Sequence, residues 1–441
     1  MKLLFAHQNF PGQWLRLSAF AAEQGHEVVG LGQQGVLNPA RCPRGVKLAS
    51  YSAEGAGKST HHYLQTTEAA VRRGQSVARA VLALADAGFV PDLVCAHQGW
   101  GETLYVKDVL PGVPVLSYCE FYYHGRGADV GFDPEFPSGL DDRMRIRTRN
   151  TVHALSLADC DRAISPTSWQ RSLFPEDLRG KIAVIHEGID TEIVKPDAAA
   201  VFPLPGGKQT FKFGDEVITY VARNLEPYRG FHRFIRTLPA ILERRPNAHA
   251  VIVGGDRVSY GGRPKGHATW REALLGEVGD RIDASRVHFV GTLPYQHYLR
   301  LLQVSRAHVY LTYPFVLSWS MLEAMAAGCV VIGSATPPVK EVIIDRKNGL
   351  LVDFFSGEQL VDAVDFALAD SAKIQTIRRE ARRAIVEKYE LRKCLAAQWR
   401  LIEAMVKAAE RRRRGATAGQ ARAAGASRKE PAAAAPASGE K

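Results

Sequence analysis

The sequence predicts an α/β protein built from two doubly wound parallel-sheet domains that face each other across a cleft. Three observations carry this. Short apolar runs alternate with helical patterns along the chain, the runs fall into two arrays, and a stretch rich in Pro and Gly, 196–214, separates the arrays. A chain of 441 residues is long enough for each half to bury its own core. Open parallel sheets bind ligands beyond the carboxyl ends of their strands, so two facing sheets predict one shared site.

In chain order, the first array comprises apolar runs at 2–6, 27–31, 92–96, 113–117, 162–165 and 182–186. The linker follows, marked by Pro196, Pro203, Pro205, Gly206 and Gly207. The second array runs through 217–223, 249–254, 286–291, 308–312, 329–333 and 349–352, and a helical pattern then extends from about 373 to 412. The expected divisions are a first domain at 1–195, a linker at 196–214, a second domain at 215–372, a helical segment at 373–410 and a tail at 411–441.

Composition narrows the class. Hydrophobic content of 46% and charged content of 23% are ordinary for a globular protein. No apolar run approaches the ~20 residues a membrane span needs, and the opening Met1-Lys-Leu-Leu-Phe-Ala-His reads as a first strand rather than a signal peptide. Six scattered cysteines lack CxxC spacing, which fits a reduced cytoplasmic setting and no structural zinc. Residues 405–441 hold nine Lys/Arg against three Glu, over half of the net +11. From Arg411 onward this tail lacks aromatic residues and reads as disordered. It either hangs solvated or holds the protein loosely against anionic headgroups at the inner membrane face. Without a recognition motif in the body, nucleic acid is not an expected partner.

The most informative stretch is 315–333. Ser320 and Glu323 have capping-box spacing at the start of a helix that breaks at Gly328 before an apolar strand. A helix start suits a phosphate, so Glu323 is either a capping residue or part of a ligand site. Elsewhere, the Phe10-Pro-Gly-Gln13 turn follows the first strand, and Gly12 would let backbone approach a ligand closely. His97 and Glu120 each end an apolar run, and each is either a structurally paired residue or a group facing the cleft. Segment 121–142 mixes aromatic and acidic residues, as a carbohydrate site or an ordinary surface loop would.

Four segments in register carry a resemblance: 315–333, Val221-Ala-Arg-Asn-Leu-Glu-Pro-Tyr-Arg-Gly230, Val251-Ile-Val-Gly-Gly255 and Val287-His-Phe-Val-Gly-Thr-Leu-Pro294. Together they resemble the family 4 glycosyltransferases of group 1 type, over roughly 215–370 with weaker matches in the first half. The resemblance implies the GT-B architecture: an acceptor-side and a donor-side Rossmann-like domain, with the last helix crossing back to the first. It implies transfer of a sugar from a nucleotide-diphosphate donor to a hydroxyl of a glycan or lipid-linked glycan, with retention of configuration. It places the donor diphosphate at Gly12, Arg223, Arg229, Ser318 and Ser320, the nucleotide ribose at Glu323, and the base near Gly291 and Leu293. His97 and Glu120 become the acceptor-side catalytic candidates. Arginine suits phosphate because its planar fork binds oxygens in pairs. Arg223 and Arg229 otherwise read as a surface pair, and Glu226 between them as exposed. With arginines meeting the phosphate charge and no HxH, DxD or HExxH pattern in place, neither metal nor cofactor is expected. The family's first Glu of its motif is Phe315 here, which either stacks on a sugar face or packs in the core. Other readings on this fold are a nucleotide-sugar epimerase and a non-catalytic nucleotide- or glycan-binding homologue. A phosphorylase would need a pyridoxal-phosphate lysine motif, which is not evident.

Overall fold

The computed structural model describes residues 1–426 except Lys208 and Asp370, with side chains described as far as Gly415. Its first sheet contains β1 (Lys2–Ala6), β2 (Glu27–Gln33), β3 (Val46–Tyr51), β4 (Leu93–His97), β5 (Val115–Tyr118), β6 (Arg162–Ser165) and β7 (Ile182–Val184). These pair in parallel in the order β3-β2-β1-β4-β5-β6-β7. A short antiparallel hairpin, β8 (Val201–Pro203) and β9 (Thr210–Lys212), comes next. The second sheet contains β10 (Val217–Asn224), β11 (His249–Gly255), β12 (Val287–Gly291), β13 (Ala307–Tyr310), β14 (Val330–Ser334) and β15 (Leu350–Val352). It is also parallel, in the order β12-β11-β10-β13-β14-β15. Helices cover both faces, so the central strands are buried throughout and read as unbroken apolar runs.

Topology alone locates the ligand cleft. Strand order reverses between β1 and β4 in the first sheet and between β10 and β13 in the second. Connections leave such a switch point in opposite directions and open a crevice at the carboxyl ends. Four loops are thereby singled out: those after β1, β4, β10 and β13.

Each of the twelve expected strands is present, and the structure adds three. Strand β3 lies at the sheet edge with Lys47 and Ser50 facing out, so it lacks the apolar run that marks a central strand. The stretch expected as a linker holds the β8–β9 hairpin. Phe202 and Phe211 pair across it and pack on Val217, Val251, Leu301 and Val304. One apolar residue per three-residue strand is too little for periodicity to register.

The carboxyl-terminal boundaries also move. Helix Ala372–Lys388 packs by Ile374, Ile377, Ala381 and Ile385 largely against second-domain residues. The crossing starts instead at Tyr389–Leu391, where the Tyr389 carbonyl accepts from the Ile189 N–H at 2.7 Å and the Leu391 N–H returns to the Ile189 carbonyl at 2.9 Å. The final helix, Leu391–Ala426, then lies on the first domain, with Leu395, Ile402, Met405 and Val406 against Leu3, Phe5 and Trp14. Trp399 stacks on His26 at 5.0 Å. The helix continues through the four arginines expected to begin a disordered tail. Its Ala- and Arg-rich sequence has high helix propensity, and Arg412 and Arg413 reach Asp161 and the Gly112 carbonyl at 3.2 and 3.0 Å. Residues 427–441, the rest of that tail, lie outside the described residues. Among the described residues no helix is long and apolar enough to cross a membrane.

Candidate active site

The loops after β1 and β10 line a cleft of about 1270 Å³ together with the loops that follow β5 and β13. On the first-domain wall, Gly12 has φ +49°, and a Cβ there would sit 2.7 Å from the His7 ring. Glycine lets the Asn9–Gln13 turn close over that imidazole. Burial first, and then the neighbouring His97, push His7 down to about 3, so it stays neutral. His97 ends β4, buried, with Nδ1 accepting from the Gly99 N–H at 3.1 Å and Nε2 3.5 Å from the Glu120 carboxylate. Glu120 also accepts from Gln13 Nε2 at 3.0 Å. Burial acts to raise the Glu120 carboxyl, but His97 and the Gln13 hydrogen bond hold it below the ordinary value. The two acceptor-side candidates are thus one interacting pair, and Glu120 faces the cleft.

The opposite wall is cationic. Gly230, at φ +70°, comes so close to Leu311 that a Cβ would lie 2.3 Å from its Cβ. This close approach brings the loop after β10 against the loop after β13. Arg229 is buried and donates through Nη1 to Tyr310 Oη, Thr312 Oγ1 and the Val316 carbonyl at 3.2, 3.0 and 2.9 Å. Its guanidinium also lies over the rings of Tyr260 and Phe315 at 5.4 and 5.7 Å. Among the described residues no carboxylate pairs with it. Arg223 is exposed at the end of β10, without a hydrogen-bond or ion-pair partner among the described residues. Both line a side pocket of about 370 Å³ together with Glu120, Ser318 and Trp319. Arg229 is therefore not half of a surface pair but a fixed, desolvated cation.

The helix start differs from its sequence reading. Ser318, not Ser320, is the cap of helix Trp319–Ala326, its Oγ accepting from the Ser320 N–H at 3.3 Å. The Ser320 hydroxyl, 3.0 Å from that of Ser318, lies inside the first turn. Glu323 is then the fifth helical residue, too far along to close a capping box. Its carboxylate accepts instead from Tyr295 and Tyr298 Oη, both at 2.8 Å. Burial raises its carboxyl and the two tyrosines oppose that shift. Glu323, Gly291 and Leu293 stand outside the walls of the two cavities above. Phe315 both packs and lines the cleft, with Phe121 at 4.7 Å and Tyr260 at 4.9 Å.

Two features were missed from sequence. Glu226 is fully buried rather than exposed: its carboxylate accepts from the N–H groups of Ser259, Tyr260 and Gly261 at 3.0, 3.1 and 3.0 Å. It thereby fixes the loop that carries Tyr260 over Arg229. The second is segment 121–139, which is not a free surface loop but a strap onto the second domain that also lines the cleft. Asp129 accepts from Tyr228 at 2.9 Å, Asp133 binds His232 at 2.8 Å, and Glu135 is held by Arg236 at 2.7 and 2.8 Å. Asp133, Glu135 and His232 have the spacing of a metal cluster, but Arg233 and Arg236 already engage the two acids.

Glu187 joins the domains inside the side pocket, accepting from Tyr118 Oη of the first and Trp319 Nε1 of the second. Burial pushes its carboxyl up from 4.5 to about 7. A raised carboxyl contributes stability that is complete below pH 4.5 and lost as pH rises through about 7. Glu187→Gln removes that titration. The stability of the variant relative to wild type should therefore rise by about 3 kcal/mol from pH 4.5 to 8. Urea titrations at both pH values measure it, and a pH-independent difference would show that Glu187 ionises freely.

Comparison with known proteins agrees with this geometry. Residues 24–194 match the family described as glycosyl transferase family 4 group, and residues 207–384 that described as glycosyl transferases group 1. A GDP-mannose-dependent alpha-(1-6)-phosphatidylinositol monomannoside mannosyltransferase of Mycobacterium tuberculosis is 27% identical over 53% of this chain, a match spanning 57% of that relative's length. Glycogen synthase of the same organism is 25% identical over 85% of this chain and 86% of its own. Among solved structures, sucrose-phosphate synthase of Thermosynechococcus elongatus covers 92% of this chain and 100% of its own, with TM-score 0.68 and 17% identity. Anabaena HepE in complex with UDP and glucose likewise covers 92% and 100%, with TM-score 0.64 and 15% identity. At such identities the structural likeness establishes the fold.

Proposed function

We propose that this chain, which belongs to the group 1 glycosyl transferases of family 4 and has the GT-B fold, moves a sugar from a nucleotide-diphosphate donor to a hydroxyl of a glycan or lipid-linked glycan. The carrying observation is the buried Arg229: a cation held rigidly in a cleft wall without a carboxylate is preorganised for an anionic ligand. Arg223 supplies a second, more mobile charge. The leaving diphosphate gains charge as the glycosidic bond breaks, so fixed donors there favour the transition state over the bound sugar. Backbone at Gly12 and the hydroxyls of Ser318 and Ser320 offer it further hydrogen bonds. Glu323 takes the ribose, whose hydroxyls would replace those of Tyr295 and Tyr298 on the carboxylate, and Gly291 and Leu293 border the base. Across the cleft, Glu120 is held ionised by His97 and can accept from a sugar hydroxyl or face positive charge at the anomeric carbon.

Family membership supports transfer with retention, by front-face attack in which the departing phosphate oxygen assists removal of the acceptor proton. No metal is assigned, because the arginines meet the phosphate charge, and no organic cofactor is assigned. A cytoplasmic location, with the basic end of the final helix toward an anionic membrane face, fits such a donor. Thermal-shift titration with UDP, GDP, ADP, TDP and CDP is expected to single out one diphosphate. NMR of the product should then show the donor's anomeric configuration. An inverted product would overturn retention, and interconversion of the donor without acceptor would point to an epimerase.

A further inference from the structure

We propose that the acceptor brings a phosphate of its own, bound between Arg41 and Arg149 of the first domain and Arg257 of the second, which line the same cleft. The proposal rests on the reading that Arg223 and Arg229 take the donor diphosphate.

Acidic and basic side chains around the one cavity are not evenly matched. Glu120, Asp129, Asp133 and Asp142 line the cleft, and each is already engaged within the protein. Glu120 accepts from Gln13, Asp129 from Tyr228, and Asp133 from Arg233 and Tyr313, while Asp142 binds the Gly139 N–H and Arg145. Of the arginines on the same walls, only Arg145 pairs with a carboxylate among the described residues. Arg41, Arg149, Arg223 and Arg257 line the cleft without one. A donor diphosphate would occupy Arg223 and Arg229. Arg41, Arg149 and Arg257 would then remain on walls that carry two carboxylates without a cationic partner, Glu120 and Asp129, so the cleft stays net positive.

One of the three is held in place by its side chain, and a second sits on a fixed loop. The Arg149 guanidinium lies 3.9 Å from the centre of the Tyr123 ring, so stacking fixes its plane while its edge donors remain available. Tyr123 is itself anchored, its N–H donating to Asn150 at 3.0 Å and its carbonyl accepting from Asn150 at 2.7 Å. Arg257 sits on the loop that Glu226 pins through three backbone N–H groups. A neutral acceptor would strip water from these guanidinium groups and return little. A phosphate ester replaces that water with charge-assisted hydrogen bonds. Such a phosphate can belong to a soluble sugar phosphate or to a lipid headgroup, and the chemistry of recognition is the same.

The test titrates the full chain, without nucleotide, with glucose 6-phosphate against glucose. In parallel, vesicles of phosphatidylinositol in phosphatidylcholine are compared with phosphatidylcholine alone, at about 0.15 M salt so that diffuse attraction is screened. At least one charged probe should bind roughly tenfold or more tightly than its neutral counterpart, and Arg149→Gln and Arg257→Ala should each remove most of that preference. Both variants should keep the wild-type response to the nucleoside diphosphate that the wild type prefers. Arg257 is exposed, so its variant tests the site even if Arg149→Gln folds poorly. Binding of the sugar phosphate alone assigns a soluble acceptor, and binding of the vesicles alone a lipid one. Equal binding of charged and neutral probes overturns the proposal. So does phosphate binding that survives in both variants but is lost in Arg223→Ala, which would put the anion at the donor end. If no diphosphate binds while the preference at Arg149 and Arg257 persists, the donor assignment fails and the anion site stands.

Discussion

Arg229→Ala is expected to lower kcat/KM by about two to three orders of magnitude, equivalent to roughly 3–4 kcal/mol of transition-state stabilisation. The size follows from burial. A guanidinium already desolvated and fixed by Tyr310, Thr312 and the Val316 carbonyl need not reorganise as charge develops on the leaving diphosphate. Exposed Arg223 stays solvated and mobile, so Arg223→Ala should cost less and act more on KM. Arg229→Lys keeps the charge but loses the planar fork, and should recover only part of the rate. The substitution also leaves three acceptors without their donor, which costs stability on the order of 1–3 kcal/mol. Activity is therefore compared well below the variant's melting temperature. Nearly unchanged kcat/KM in the folded variant would move the diphosphate elsewhere.

Why Arg229 could be found in the sequence and Glu226 misread has one physical explanation. Arg229 sits in a strand-to-helix loop whose Pro, Gly and flanking apolar runs are local signals. Its partners lie on β13 and the loop after it, which the β10–β13 switch point brings alongside. Glu226 is three residues away, yet its partners are backbone N–H groups 33 to 35 positions on, which no side-chain pattern announces. A carboxylate beside two arginines reads as solvated by default. Strands followed the same divide. Central strands buried on both faces show as apolar runs, whereas edge strand β3 and the three-residue hairpin strands do not. The Ser320–Glu323 spacing was a genuine local signal, but two tyrosines of helix Tyr295–Val304 compete for the carboxylate and the cap falls at Ser318. Phe315 was read as either packing or facing the ligand because a sequence cannot show that a cleft wall does both.

The largest stability effect is expected in the strap, which composition left ambiguous because aromatic and acidic residues suit many surfaces. Asp133 of the first domain is buried against His232 at 2.8 Å, Tyr313 at 3.1 Å and Arg233 at 3.2 Å, all of the second. Phe132 beside it contacts Tyr313, Phe354 and Phe355, each at 5.2 Å. Asp133→Ala would leave a buried histidine and tyrosine without their acceptor and Arg233 without its charge partner, at a cost of about 3–5 kcal/mol. Asp133→Asn retains an acceptor for His232 and should cost less. Burial alone would raise the Asp133 carboxyl, but His232, the Glu135 N–H and Arg233 hold it down at about 2. A depressed carboxyl contributes stability that is present above its unfolded value near 4 and lost as pH falls through about 2. Wild type and Asp133→Ala should therefore differ most at pH 7, and the difference should shrink by about 2 kcal/mol in that acid window. Because the strap joins the domains, the variant should also expose 121–139 to protease before the sheets unfold. Equal melting temperatures and equal cleavage would show that the domains are held together by the final helix and the Glu187–Trp319 contact instead.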